Sequence, residues 1–199
     1  MSFCGDAAKQ ALIRHLREAI FGEASPPRHV HLLIDAGRDD AIYPQLREFS
    51  VQGRVAGLYQ GPAAAELASV APYLLDCDLD GTVFDWFWEG GWGRSWGILI
   101  RSDASIQELR RHFRRLTQIR TEDGRVLLFR FYDPRVFAAF ASSCSAEQAR
   151  ALFGPIGSIH IALIGNGLAS FWLQDGAVRQ TTWWPDDATD VGRLPQARC

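Results

Sequence analysis

The chain has 199 residues, 47% hydrophobic and 22% charged, with a net charge of −2. A chain of this length can seal roughly 70% of the surface its unfolded form exposes, so it needs neither disulfides nor a metal to fold. The near-neutral charge gives no electrostatic basis for binding nucleic acid or an anionic membrane.

Four cysteines, Cys4, Cys77, Cys144 and Cys199, show no paired spacing, which fits a reduced cytoplasmic setting. The N-terminal Met-Ser-Phe-Cys-Gly-Asp lacks the basic and apolar regions of a signal peptide. No apolar run of about 18 residues predicts a membrane span. Among 21 basic residues only Lys9 is a lysine, a bias that points to a GC-rich genome.

In chain order, a first helix is predicted from about Ala7 to Phe21, capped by Asp6, with Leu12, Ile13, Leu16 and Ile20 as its apolar stripe. After a Pro-rich linker, a strand follows at Val30 to Ala36, with His31 and Asp35 on one face. A short helix runs to about Phe49, a second strand covers Arg54 to Tyr59, an Ala-rich helix opens at Gly61-Pro62, and a third strand covers Pro72 to Cys77. This alternation predicts an α/β or mixed α+β fold whose N-terminal strands pair in parallel through helical crossovers. Phe84, Trp86, Phe87, Trp88, Trp92 and Trp96 then cluster. They read either as core packing or as an exposed anchor for another protein.

The clearest local signals lie from Gly93 to Phe137. Trp96 to Ile100 is an apolar strand. Ser105 and Glu108 form a capping box for a helix with Ile106, Leu109, Phe113 and Leu116 on one face and four arginines on the other. Asp123-Gly124 predicts a hairpin turn between Gln118–Thr121 and Arg125–Tyr132. In its second strand, Leu127, Phe129 and Phe131 are predicted to face the core, while Arg130 on the opposite face needs an acceptor. Asp133 and Pro134 suit the cap and first position of the next helix. Ser145 and Gln148 predict a further capped helix to Phe153, followed by antiparallel hairpins at Gly165-Asn166-Gly167 and Asp175-Gly176.

No phosphate-binding glycine loop and no nucleophile elbow is present. His29 and His31 alone do not make a zinc site. Asp35, Asp39 and Asp40 read as turn caps ahead of a cation site. Cys144 with His160 is an example of a Cys/His nucleophile pair, and a small hydrolase using Cys144 or a histidine with Asp35 or Asp133 would require those groups to converge in one pocket. The arginines at 110 to 115 read as a solvated helix face or a contact for an acidic partner.

Several blocks, in order, carry a resemblance: Leu33-Ile34-Asp35-Ala36, Leu58-Tyr59-Gln60-Gly61, Ala71-Pro72-Tyr73-Leu74-Leu75, Trp96 through Ser102, Leu109-x-x-His112-Phe113-Arg114, Arg130-Phe131-Tyr132-Asp133-Pro134-Arg135-Val136 and Phe153-Gly154-Pro155-Ile156. Over roughly residues 30 to 175 the chain resembles the domain-of-unknown-function family of bacterial type VI secretion adaptors, also called Tap or TEC chaperones. The resemblance implies a non-enzymatic cytoplasmic chaperone with no cofactor and no metal. Its expected partners are a secreted toxin effector and the spike protein VgrG, without nucleic acid or membrane insertion. Arg130, Tyr132, Asp133 and Pro134 match the signature and are expected to be structural.

The predicted organisation is one adaptor domain at 1–175, divisible into lobes 1–92 and 93–175, a terminal strand at 176–184 and a mobile tail at 185–199. Trp88, Trp92, Phe171, Trp172, Trp183 and Trp184 are the expected partner contacts, and the strand at 168–173 could accept a client strand if it lies at an edge. The alternatives are the hydrolase above and a protein-binding module unrelated to secretion.

Overall fold

The computed structural model describes residues 10–15, 29–78, 81–120 and 123–184. The predicted tail at 185–199 and the flanks of the first helix lie outside these. Helix α1 is helical within residues 10–15, and Leu12 and Ile13 of its predicted stripe are buried.

The helices that follow are α2 (Ile42–Val51), α3 (Pro62–Glu66), α4 (Thr82–Gly90), α5 (Ile106–Leu116), α6 (Pro134–Ala141) and α7 (Ala146–Phe153). The strands are β1 (His29–Asp35), β2 (Val55–Gly57), β3 (Pro72–Asp76), β4 (Gly97–Ser102), β5 (Gln118–Arg120), β6 (Val126–Leu128), β7 (Ile156–Ala162), β8 (Leu168–Gln174) and β9 (Ala177–Trp183).

Among the described residues, seven strands form one sheet in the order β2-β3-β1-β4-β7-β8-β9, and β5 and β6 form a separate pair. The fold is mixed α+β. Every ladder is antiparallel, which corrects the parallel pairing expected for the N-terminal half. β1 and β2 do run the same way, but β3 lies between them and runs opposite to both. β8 is an interior strand between β7 and β9, so it offers no edge to a client.

β1 lies inside the sheet and is covered on both faces, which explains its nearly continuous apolar sequence. Val30, Leu32 and Ile34 join the core made with α1, α2 and α4, including Phe84, Phe87 and Trp96. Leu33 joins the core made with α5, α6 and α7, including Phe113, Phe137 and Phe153. Leu32, Leu33 and Ile34 have no exposed surface, and each such side chain stabilises the fold by about 1.5–3 kcal/mol relative to exposure.

Local signals fix several elements. The capping boxes at Ser105/Glu108 and Ser145/Gln148 are both formed. Asp133 caps α6 with Pro134 at its start. The turns at Gly165-Asn166 and Asp175-Gly176 take the positive φ values of tight hairpins. The β5–β6 hairpin also forms, but its strand ends at Leu128, and Leu127 lies on the surface rather than in the core. Phe131, on the same predicted face, is buried, and so is Tyr132 from the opposite face. The chain has left the strand before these residues, so alternation no longer sorts them.

Candidate functional site

β1 ends on a carboxylate. Leu33 and Asp35 share the face turned toward α5 and α6, and Asp35 has no exposed surface. A carboxylate so placed must be paired. The Gly37 N–H donates to Asp35 Oδ1 at 3.1 Å, and Arg130 Nη2 donates to Asp35 Oδ2. Asp35 is thus the acceptor that Arg130 required. Arg130 itself is half-exposed, and the carboxylate holds its guanidinium charge even more firmly than usual, raising its pKa.

The next residues extend this knot. Tyr132 is buried and hydrogen-bonds Tyr59. Burial pushes its hydroxyl pKa up, and the neighbouring Tyr59 and Asp35 push it further. Asp133 Oδ1 accepts from the Arg135 N–H at 3.0 Å and from Arg135 Nε at 3.0 Å, while Oδ2 accepts from Arg135 Nη2 at 2.6 Å. Burial alone would raise the Asp133 carboxyl pKa, but the Arg135 hydrogen bonds and the nearby Arg38 charge outweigh it and hold it low. The central strand, the segment after β2 and the start of α6 are thereby tied together. Both acids are paired with arginines within the knot, and the pairings brace the scaffold.

Beside the knot, Asp133, Arg135, Val136, Ala139, Phe140 and Ser143 line an open groove of about 610 Å³ along α6. Phe140 meets Phe129 at a ring distance of 5.0 Å, which joins the groove to the base of the β5–β6 hairpin. The hairpin itself exposes apolar side chains: Ile119 44%, Val126 54%, Leu127 44% and Leu128 64%. Sequence reasoning missed this surface because an apolar strand residue reads as core by default.

The expected contact tryptophans divide. Trp92 and Phe171 are buried in the two cores, which corrects their assignment to a contact surface. Trp88 is half-buried, packed against the α4 core with its ring 5.2 Å from Trp92. Trp183 is half-buried and stacks on His15 at 4.6 Å. Trp172 is half-buried and donates from Nε1 to Gln174 Oε1 at 3.4 Å. Trp184 is 38% exposed and its ring lies over Gly167.

The remaining candidate groups for hydrolase, zinc or cation chemistry are each engaged separately. His160 is buried, with one ring nitrogen 2.9 Å from Ser158 Oγ and the other 2.8 Å from Ser170 Oγ. Burial lowers its pKa to about 3. The Cys144 thiol donates to the Ala141 carbonyl at 3.7 Å. His31 is buried with Nδ1 3.0 Å from Asp76 Oδ1, and burial again lowers its pKa. Asp39 caps the turn before α2 by accepting from the Ala41 N–H at 3.0 Å.

Residues 30–151 match the family model described as Domain of unknown function (DUF4123), more than half of the chain. The chain belongs to the DUF4123 family. No curated protein and no solved structure matches it.

The DUF4123 segment runs from β1 into α7. It contains the whole knot around Asp35, the α6 groove and the β5–β6 hairpin. Trp172, Trp183 and Trp184 lie beyond it, on β8 and after it. Among the described residues no helix is long and apolar enough to cross a membrane.

Proposed function

We propose that this DUF4123 protein is a non-enzymatic cytoplasmic adaptor of type VI secretion, which holds a toxin effector and helps load it onto the VgrG spike. Membership of the family over residues 30–151 carries this reading, because the family is one of type VI effector adaptors. The chemistry of the site supports it. The signature residues Arg130, Tyr132, Asp133 and Pro134 are consumed in bracing. The acids of the hydrolase reading are tied to arginines, and its histidine is sealed between two serines. Apolar surface remains on the β5–β6 hairpin and beside α6. The reading requires no cofactor. Trp88, Trp172, Trp183 and Trp184 stay as proposed contributors to partner contact.

The test is co-expression of the full chain with the toxin encoded beside its gene and with VgrG, followed by purification through a tag on this chain. Co-elution of toxin and spike is expected. Recovery of this chain alone, from cells that contain both candidate partners in soluble form, overturns the reading.

A further inference from the structure

The β5–β6 pair stands apart from the seven-stranded sheet. A lone two-stranded hairpin is marginally stable in water at best. This one also carries apolar side chains on both faces. Ile119 and Leu127 are cross-strand partners on one face, and Val126 and Leu128 lie on the other. Of the ten large hydrophobic residues that are exposed among the described residues, four sit on this pair and a fifth, Val136, lines the adjoining groove. Scattered apolar residues need no explanation, but such a concentration marks an interaction site.

The hairpin is nonetheless held in place. The Phe129 N–H donates to the Thr117 carbonyl at 2.9 Å, closing the base of the pair. The Phe129 ring then docks on Phe140 at the mouth of the α6 groove. An anchored base and exposed apolar strands suit a platform that receives another chain.

Charge and backbone chemistry select the occupant. Helix α5 holds Arg110, Arg111, Arg114 and Arg115 against the single acid Glu108, while residues 118–128 balance two arginines with two acids, in a chain whose net charge is −2. Arg114 and Arg115 stand in the last turn of α5, directly before β5. A second copy of this chain would bring the same excess positive charge against the first. An acidic partner is instead attracted. The outer edge of β6 presents backbone N–H and C=O groups without a neighbouring strand among the described residues. An extended segment satisfies such an edge, and a helix does not.

We propose that the β5–β6 hairpin, with the α6 groove at its base, receives an extended segment of the client protein that is apolar in its centre and acidic at its flanks, added as a strand alongside β6. This rests on the adaptor reading and says which surface serves the client.

The test uses the full chain and the toxin encoded beside its gene. Val126→Asp and Leu128→Asp change exposed positions. Leu128→Thr keeps a strand-forming residue while removing apolar area. The pair Arg114→Glu with Arg115→Glu reverses the local charge. Melting curves of all variants are taken first, and toxin affinity is then measured at low and high salt.

Both aspartate variants are expected to melt like the parent and bind toxin at least about tenfold more weakly, with Leu128→Thr between them and the parent. The charge reversal is expected to weaken binding about tenfold at low salt, and less as salt rises, because exposed charges are screened. Binding is also expected to slow amide exchange at Val126 to Leu128.

If the unaltered chain fails to bind the toxin, the adaptor reading falls and this inference with it. If the toxin binds and the aspartate variants bind as the parent does, the hairpin assignment falls and the adaptor reading stands. Parent-like binding by the charge-reversed pair overturns the acidic character of the segment. Dissociation of a dimer of this chain by Leu128→Asp, with toxin binding intact, names a second copy as the occupant and overturns the proposal.

Discussion

Arg130 and Asp35 are 95 positions apart in the sequence, yet their contact fixes the end of the central strand. Removing Arg130 would leave a sealed carboxylate that, among the described residues, still accepts from the Gly37 N–H. Because the guanidinium is half-exposed, water can partly replace it, so Arg130→Ala is expected to cost about 1–3 kcal/mol in urea denaturation. An unchanged midpoint would mean that water replaces the guanidinium completely. Burial lowers the pKa of His31, His112 and His160, and His160 is shifted furthest. Its folded pKa of about 3 lies below the ordinary value of 6.5. The unfolded chain therefore takes up this proton near the ordinary value and the folded chain resists it. Stability from this group is complete above pH 6.5 and falls as the pH drops toward 3, by up to about 1.4 kcal/mol per pH unit. Asp133 acts in the same direction lower on the scale, its contribution lost as pH falls through its lowered pKa. His160→Asn is expected to reduce the slope of the stability profile between about pH 6.5 and pH 4, read from denaturation midpoints, with His31 and His112 supplying the remainder. Parallel profiles for parent and variant would show that the histidine protonates normally inside the fold.

At the scale of elements, β4 meets β1 closely at Gly97, opposite Ile34. A Cβ there would overlap the Leu33 carbonyl oxygen and stand 2.8 Å from Ile34 Cα, in backbone that cannot yield. Gly97→Ala is expected to cost more than about 3 kcal/mol or to abolish soluble expression, a larger effect than ordinary overpacking. A melting temperature within a few degrees of the parent would contradict it. The helices α5, α6 and α7 were legible in the sequence because their start signals are local: a serine and its partner three residues on, or Asp-Pro. Strand direction was not. Alternating strands and helices state that crossovers exist, but nothing in β3 says that it will lie between β1 and β2 and oppose both. The Arg130 requirement for a partner was legible, whereas the identity of Asp35 was not, because that pairing depends on the tertiary fold. Leu127 and Phe129 fit the same alternating pattern as a core strand. Only tertiary placement distinguishes the exposed Leu127 from the ring of Phe129 docked on Phe140.

Across the whole molecule, helices cover both faces of the sheet, and the proposed contact surfaces lie on different layers. The hairpin base packs against the α5–α7 layer through Phe129. Trp183 packs against the opposite layer, and Trp184 follows it. An adaptor must touch both cargo and spike, and separate surfaces allow both at once. Trp172→Ala and Trp184→Ala are expected to melt like the parent and to weaken recovery of toxin or of VgrG. Full recovery of both partners by both variants would remove these rings from the contact. The position of β1 has one more consequence. Its two flanks are filled by β3 and by β4, and β4 is joined in turn to β7. A ribosome that has released only the segment as far as Trp92 has released a first strand with one flank still bare. Closure waits for later segments to emerge, so newly made protein passes through an interval in which the apolar flank of its first strand lies open to other chains.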